Sequence, residues 1–164
     1  MRRATTIAVA GVLAMVLQTT MFPVLVPVGL TPNLLLVLVV YLAVHQYGAW
    51  GALGAFVLGY FLDTFSGTLL GVHAFAFTAV YLGVHHVARV LWTEGGVPAV
   101  LITFTAGVMY VFLVLVITAL MTAGGGAPWG HGLRYGLLEA MVAAALTPAV
   151  FRAVDWEQRM LRVG

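Results

Sequence analysis

The sequence has 164 residues, of which 63% are hydrophobic and 7% charged, and its formal net charge is +2. A soluble domain typically carries about a quarter charged residues, whereas the mean hydropathy here is +1.09, so the composition excludes a water-soluble fold. Cysteine and lysine are both absent, which excludes disulfides, thiolate metal sites and Schiff-base chemistry on a lysine.

Long apolar runs, separated by short polar or proline- and glycine-containing segments, predict membrane helices. About 20 residues cross a bilayer, so the chain has room for about six crossings and for no soluble catalytic domain. The first run follows an arginine pair, as in a secretory signal peptide, but Gln18–Met21 contains no A-x-A-like cleavage site, which favours an uncleaved helix. We predict an all-α, polytopic membrane protein with one domain, residues 1–164, whose six transmembrane helices form a compact bundle. The spans lie at about 4–22, 33–47, 49–62, 69–88, 97–122 and 132–151.

The second and third predicted helices form a tight hairpin, because only His45-Gln46-Tyr47-Gly48 separates them. Both are near the lower length limit for a full crossing, so partial spans supported by neighbouring helices are the alternative. The segment Asp63-Thr64-Phe65-Ser66-Gly67 is predicted to be a polar turn before the fourth helix. After the sixth span, Asp155 and Arg159 are spaced i, i+4, which supports a short helical extension.

Arginine placement predicts the orientation in the membrane. Six crossings place all the arginines except Arg134 on one side, which the positive-inside rule assigns to the cytoplasm together with both termini. The tryptophans lie at predicted span ends, as in an interfacial aromatic belt. The cytoplasmic arginines are Arg2, Arg3, Arg89, Arg152, Arg159 and Arg162, and the tryptophans are Trp50, Trp92, Trp129 and Trp156.

Small residues recur every four positions on two predicted helices. Such spacing lets two helices approach closely in lipid, where packing drives association. Two interpretations stay open, namely packing within the bundle and a surface for the transmembrane helix of a partner. The residues are Gly51, Ala55, Gly59 and Asp63 on the third helix, and Gly132, Gly136, Ala140 and Ala144 on the sixth.

Three charged residues lie within or beside the predicted spans. A charge at the position of Glu139 costs on the order of 3 kcal/mol in lipid, so this side chain should face the bundle interior or be protonated. Arg134 lies about 140° around the same helix and is therefore a poor partner for Glu139. Asp63 is predicted near the same membrane surface as Arg134, and we expect these two to form a salt bridge. A structural role is favoured for all three, with a proton or ligand site as the alternative.

No constellation of residues predicts catalysis, a cofactor or a metal site. The adjacent His85 and His86 point to different sides of a helix, and among the histidines only His73 lies near other polar groups. Thr64-Phe65-Ser66-Gly67 departs from the G-x-S-G turn of intramembrane serine proteases, since a threonine replaces the first glycine. The sequence contains no H-E-x-x-H motif, phosphate loop or dinucleotide fingerprint. We therefore expect a protein that is not an enzyme.

A distinctive motif begins with Pro32-Asn33-Leu34-Leu35-Leu36-Val37, continues along the glycine-spaced third helix and ends with Asp63-Thr64-Phe65-Ser66-Gly67-Thr68-Leu69-Leu70-Gly71-Val72-His73-Ala74. Through this motif the stretch from Pro32 to Tyr81 resembles the MreD family of rod shape-determining proteins. The family pattern combines a P-D/N-L-L-L start with G-x-x-x-G-x-x-x-D-x-x-S-G-x-x-L-G-x-H. This sequence matches it nearly throughout, with Ala55 at the first small position. The other residues that carry the resemblance are Pro32, Asn33, Gly59, Asp63, Ser66, Gly67, Gly71 and His73.

The resemblance implies a non-enzymatic, multi-pass protein of the bacterial inner membrane that supports peptidoglycan synthesis and cell shape as part of the elongation complex. It implies MreC, a single-span protein with a periplasmic domain, as the direct partner, with RodA, a class B penicillin-binding protein and MreB more distantly. Membrane lipid is expected as a further partner, and nucleic acid is not.

The MreD fold is similar to the substrate-binding subunits of energy-coupling-factor vitamin transporters, which defines the alternative function. A vitamin-binding subunit would need a polar external pocket, for which the candidates are Asp63, His73, Glu139 and Arg134. A lipid-handling role for a cavity in the bundle is a third possibility.

Overall fold

The computed structural model describes residues 2–21, 32–46, 48–67, 70–90, 96–121 and 129–163. Across these ranges the backbone is helical apart from short caps and turns, with no strand, which confirms the predicted all-α class. Each of the six predicted apolar runs lies on one helix. The helices are α1 (Arg2–Val16, continued by a π-helical turn over Leu17–Met21), α2 (Leu34–His45), α3 (Ala49–Ser66), α4 (Val72–Val90), α5 (Gly96–Met121) and α6 (Trp129–Val163).

The end of α3 differs from the sequence prediction, and that of α6 agrees with it. Residues 63–66, predicted to be a turn, form the last turn of α3, and the helix ends at Gly67, whose φ of 65° is left-handed. Glycine adopts this conformation without the steric cost of a Cβ, which makes it a common helix terminator. Helix α6 continues past the predicted span end at 151 to Val163, with Pro148 inside it, so the predicted helical extension is present. The predicted loop between the first two helices, residues 23–31, lies outside the described residues.

Helix α2 is the centre of the bundle. It packs against every other helix, and its side chains from Leu34 to Ala43 are all buried. Its sequence is apolar on all sides, as is typical of a helix with no exposed face. With 12 residues it is about 18 Å long, shorter than the hydrocarbon core of about 30 Å.

The outer surface of the bundle is strongly apolar. On α3, for example, large side chains on the face away from the bundle are about half exposed. Two segments, Val97–Met121 and Gly132–Glu157, are long and apolar enough to cross a membrane. The six crossings stay predictions. The exposed residues on α3 are Leu53, Phe56, Val57 and Tyr60.

The small-residue face of α3 packs against α4. A Cβ built at Gly59 would lie 2.5 Å from both the Cα of Ala74 and the carbonyl oxygen of His73. At Gly51 it would overlap the hydroxyl of Tyr81, and Ala55 is fully buried between them. The spacing of small residues therefore lets the α3 backbone lie directly against the first turns of α4.

The small-residue face of α6 packs against α5 in the same way. A Cβ at Gly136 would lie 2.6 Å from the side chain of Val111, and one at Gly132 would lie 2.7 Å from Leu115. Ala140 is buried, and its Cβ lies 2.6 Å from the position of a Cβ at Gly107. Both predicted faces are thus occupied by helices of the same chain.

We predict that Gly59→Ala destabilises the protein by about 1–3 kcal/mol, the usual cost of overpacking, because the new methyl group would meet α4 backbone that cannot move aside. Gly54→Ala is the matched control, since its methyl group would meet the flexible end of Leu42 at 3.3 Å. Both changes gain similar helix propensity. Thermal unfolding in detergent measures the difference, and equal midpoints for the two variants would refute the close α3–α4 contact.

Candidate functional site

The carboxylate of Asp63 is buried at the junction of α3 and α4. The side chain is 1% exposed. It accepts three backbone hydrogen bonds: from the N–H groups of Gly71 (3.0 Å, to Oδ2), His73 (3.0 Å, to Oδ1) and Ala74 (3.1 Å, to Oδ2). All three donors lie at the first turn of α4. Asp63 is therefore a helix cap supplied by the preceding helix.

The cap comes from α3 because α4 has none of its own. Gly71, directly before α4, has a φ of 98° and no side chain, so it cannot bond the free N–H groups that every helix start leaves. A capping oxygen normally accepts from the second and third helical N–H groups, which here belong to His73 and Ala74. A carboxylate also interacts favourably with the positive end of the helix dipole.

The motif residues around Asp63 form one structural unit. Gly59, one turn earlier on α3, removes the side chain that would separate α3 from the start of α4. The hydroxyl of Ser66 donates to the carbonyl oxygen of Asp63 at 3.4 Å, and Gly67 ends α3. Along the motif from Gly59 to His73, the residues thus provide in turn the close contact of α3 with α4, the end of α3 and the cap of α4.

The predicted salt bridge between Asp63 and Arg134 is wrong. Arg134 is exposed on α6, whereas Asp63 is directed into the α3–α4 junction. Its carboxylate is occupied by the three N–H groups of α4, and no ion pair joins the two side chains, both of which the structure describes. A buried carboxylate needs hydrogen bonds rather than a particular counter-charge, and the helix end supplies them.

His73 links the capped end of α4 to α5. Its Nδ1 lies 2.8 Å from the hydroxyl of Tyr110, and the two rings stack with centroids 5.8 Å apart. Asn33 also approaches Tyr110 and caps α2, since its Oδ1 accepts from the N–H of Leu36 at 3.1 Å. The polar side chains at the starts of α2 and α4 therefore converge on one tyrosine of α5.

A small cleft opens beside Tyr110. Its open space is no more than about 210 Å³, below the range of roughly 300–1,000 Å³ typical of small-molecule pockets. Glu139 lines it together with Asn33, on the side of α6 that faces α2 and α5. Among the four residues proposed for an external pocket, Glu139 alone belongs to this cleft. The other lining residues are Leu36, Gly107, Val111, Gly136, Ala140 and Ala143.

A second group of polar contacts lies at the opposite ends of these helices. The hydroxyl of Tyr41 donates to Oδ1 of Asp155 at 2.7 Å and joins α2 to α6. The hydroxyl of Tyr81 donates to the carbonyl oxygen of Gln46 at 2.8 Å, where the chain turns from α2 into α3. His85 places its Nδ1 3.2 Å from the carbonyl oxygen of Ala43. These contacts tie helix ends together.

Sequence reasoning missed Tyr41, Tyr81 and Tyr110, since a tyrosine in an apolar run looks like any other core residue. Their only signal was a polar atom within a predicted span, which usually requires a partner. The histidines were predicted not to bind metal. Within the described ranges, no group of three or more metal-ligating side chains is present, although the side chain of His131 is not among those described.

The motif from Gly59 to His73 and a comparison of the whole chain with known families indicate the same family. The model of the rod shape-determining protein MreD matches residues 2–152. The chain belongs to the MreD family. This is a family of membrane proteins that determine cell shape and are not catalysts. No curated protein and no solved structure matches the chain, so the expected likeness to vitamin-transporter subunits stays a prediction.

Replacing the cap of this MreD-type protein should destabilise it strongly. Asp63→Ala leaves three buried or partly buried N–H groups without an acceptor, and we predict a loss of at least about 2 kcal/mol of unfolding free energy. Asp63→Asn keeps one acceptor oxygen and should lose less. Thr64→Ala, on the exposed side of the same helical turn, is the control. Unfolding midpoints in one detergent compare the three, and Asp63→Ala matching Thr64→Ala would contradict the cap.

Proposed function

We propose that this chain is a non-enzymatic membrane component of the bacterial rod elongation complex, which binds MreC and thereby supports peptidoglycan synthesis and cell shape. Membership of the MreD family over residues 2–152 carries the proposal. The protein would reside in the inner membrane as a multi-pass bundle with both termini in the cytoplasm. RodA, the class B penicillin-binding protein and MreB would be reached through MreC.

The contacts of the polar residues support a scaffold. Asp63 caps α4, Asn33 caps α2, and Tyr41 joins α2 to α6. The bonds of Asp63 and Tyr41 join two helices, and that of Asn33 fixes the start of its own helix. A scaffold needs this kind of fixed geometry, because its partner must recognise one arrangement of helices.

The packing also suggests where a partner helix would lie. The small-residue faces of α3 and α6 are covered by α4 and α5 within the chain. A transmembrane helix of MreC would therefore contact an outward-facing surface, on which large apolar side chains such as Phe56 and Tyr60 are exposed. This changes the sequence hypothesis, which placed a possible partner surface on the small residues.

Co-expression with MreC from the same organism tests the proposal. We expect a tag on this chain alone to retain full-length MreC in stoichiometric amount after detergent extraction, because MreC-type partners carry a transmembrane helix. The periplasmic domain of MreC alone is the control and should be retained less. Loss of full-length MreC from correctly folded protein would refute the scaffold.

The cleft beside Tyr110 favours one alternative, a substrate-binding subunit of a vitamin transporter. Asn33, Tyr110 and Glu139 provide polar groups between α2, α5 and α6. The cleft is too small for a vitamin without movement of the helices, which makes this function the second choice. Native mass spectrometry of the protein purified without MreC separates the two functions. A small molecule that stays bound to the purified protein would favour the transporter subunit.

A further inference from the structure

The last turns of α6 carry a basic and aromatic stripe that the scaffold function does not use. Arg152, Trp156 and Arg159 are all exposed. Their spacing of i, i+4 and i+7 keeps them within about 60° of one another around the helix. Val154, on the opposite side, is buried. The stripe therefore faces away from the bundle.

The length of α6 places this stripe at the depth of lipid headgroups. The apolar segment of α6 begins at Gly132. Counted from there along the axis, Arg152 lies at about 30 Å and Arg159 at about 40 Å. The hydrocarbon core is about 30 Å thick, and the headgroup layer adds about 5–7 Å on each side. Arg152 and Trp156 thus lie in the layer that contains the phosphate groups, where exposed tryptophan is typical. Arg159 lies just beyond this layer, and its long side chain can reach back to it.

The acidic side chains that the structure describes near the stripe do not form ion pairs with its arginines. The carboxylate of Asp155, four residues before Arg159, accepts a hydrogen bond from Tyr41 at 2.7 Å. Glu157 lies about 100° around the helix from Trp156, off the stripe. Neither Arg152 nor Arg159 forms an ion pair with any described residue, both lying outside the hydrogen-bond network of the bundle.

We propose that Arg152, Trp156 and Arg159 bind the phosphate headgroups of anionic phospholipids in the leaflet predicted to be cytoplasmic. Guanidinium groups match the geometry of phosphate oxygens, and the tryptophan ring anchors the helix at the interface. The bond from Tyr41 to Asp155 has a positioning role: it fixes the rotation of the helix end and holds the Asp155 carboxylate towards α2. The inference rests on insertion of α6 into the membrane and does not depend on MreC.

Lipid titration of the full chain tests the site. Phosphatidylglycerol and phosphatidylcholine with identical acyl chains are added separately to the protein in a neutral detergent, and native mass spectrometry measures the bound lipid. We expect tighter binding of phosphatidylglycerol, with the affinity falling about fivefold for each arginine neutralised in Arg152→Gln and Arg159→Gln. Phosphatidylcholine binding should change by less than twofold.

Arg134→Gln is the matched control, because it removes the same charge from an exposed position near the other end of α6. It should leave phosphatidylglycerol binding unchanged. An equal loss in this variant, or no loss when Arg152 and Arg159 are both replaced, would overturn the proposal. If the double variant does not fold, Arg159→Gln alone decides, since its side chain is exposed and lies close to the end of the helix. MreC is absent from the assay, so failure here would leave the scaffold proposal intact.

Discussion

A single buried carboxylate organises the junction on which the bundle depends. Asp63 accepts hydrogen bonds from three N–H groups at the start of α4. The carboxylate and the N–H groups of His73 and Ala74 are buried, so a start of α4 without this cap would leave these donors unsatisfied, at a cost of about 1–3 kcal/mol each. By supplying the cap from α3, the chain joins two helices through the same interaction that satisfies the backbone. Because His73 follows in the first turn, the cap also sets the position of the imidazole that meets Tyr110.

Close packing and capping depend on each other here. Asp63 reaches the backbone of α4 only because Gly59, one turn earlier, allows the two helices to approach. In turn, the capped end fixes where α4 starts and therefore which residues face α3. The apolar α2 lies at the centre of the other helices, so the α3–α4 hairpin has a fixed surface to pack against. Specific polar contacts thus fix how the helices are arranged, and apolar side chains fill the space between them.

The architecture was largely predictable from the sequence, and the polar contacts were not. Apolar runs located all six helices, since lipid requires uninterrupted apolar helix surfaces. The small-residue spacing indicated close packing but not which helices pack. The sequence predicts a salt bridge between Asp63 and Arg134 because both are expected at one membrane surface. Sequence spacing does not show the direction in which a side chain points across a helix junction, and the donors that Asp63 actually binds are backbone groups with no sequence signature.

The motif that carried the family resemblance has a physical explanation in this structure. Gly67 ends one helix, Gly71 precedes the next without a side chain, and Asp63 caps it. A cell-shape scaffold of this kind would present its partner with outward-facing apolar surfaces whose arrangement this junction holds constant. Its function would then depend on the rigidity of the helix pair, and the buried polar groups would not need to react with anything.

Amide hydrogen exchange over residues 71–74, with the protein in lipid nanodiscs, tests the central role of Asp63 most directly. The first N–H groups of a helix have no partner within the helix and normally exchange quickly. If the carboxylate caps them, the amides of Gly71, His73 and Ala74 should exchange as slowly as amides in the middle of α4. Rapid exchange at these positions, with the rest of α4 protected, would contradict the account.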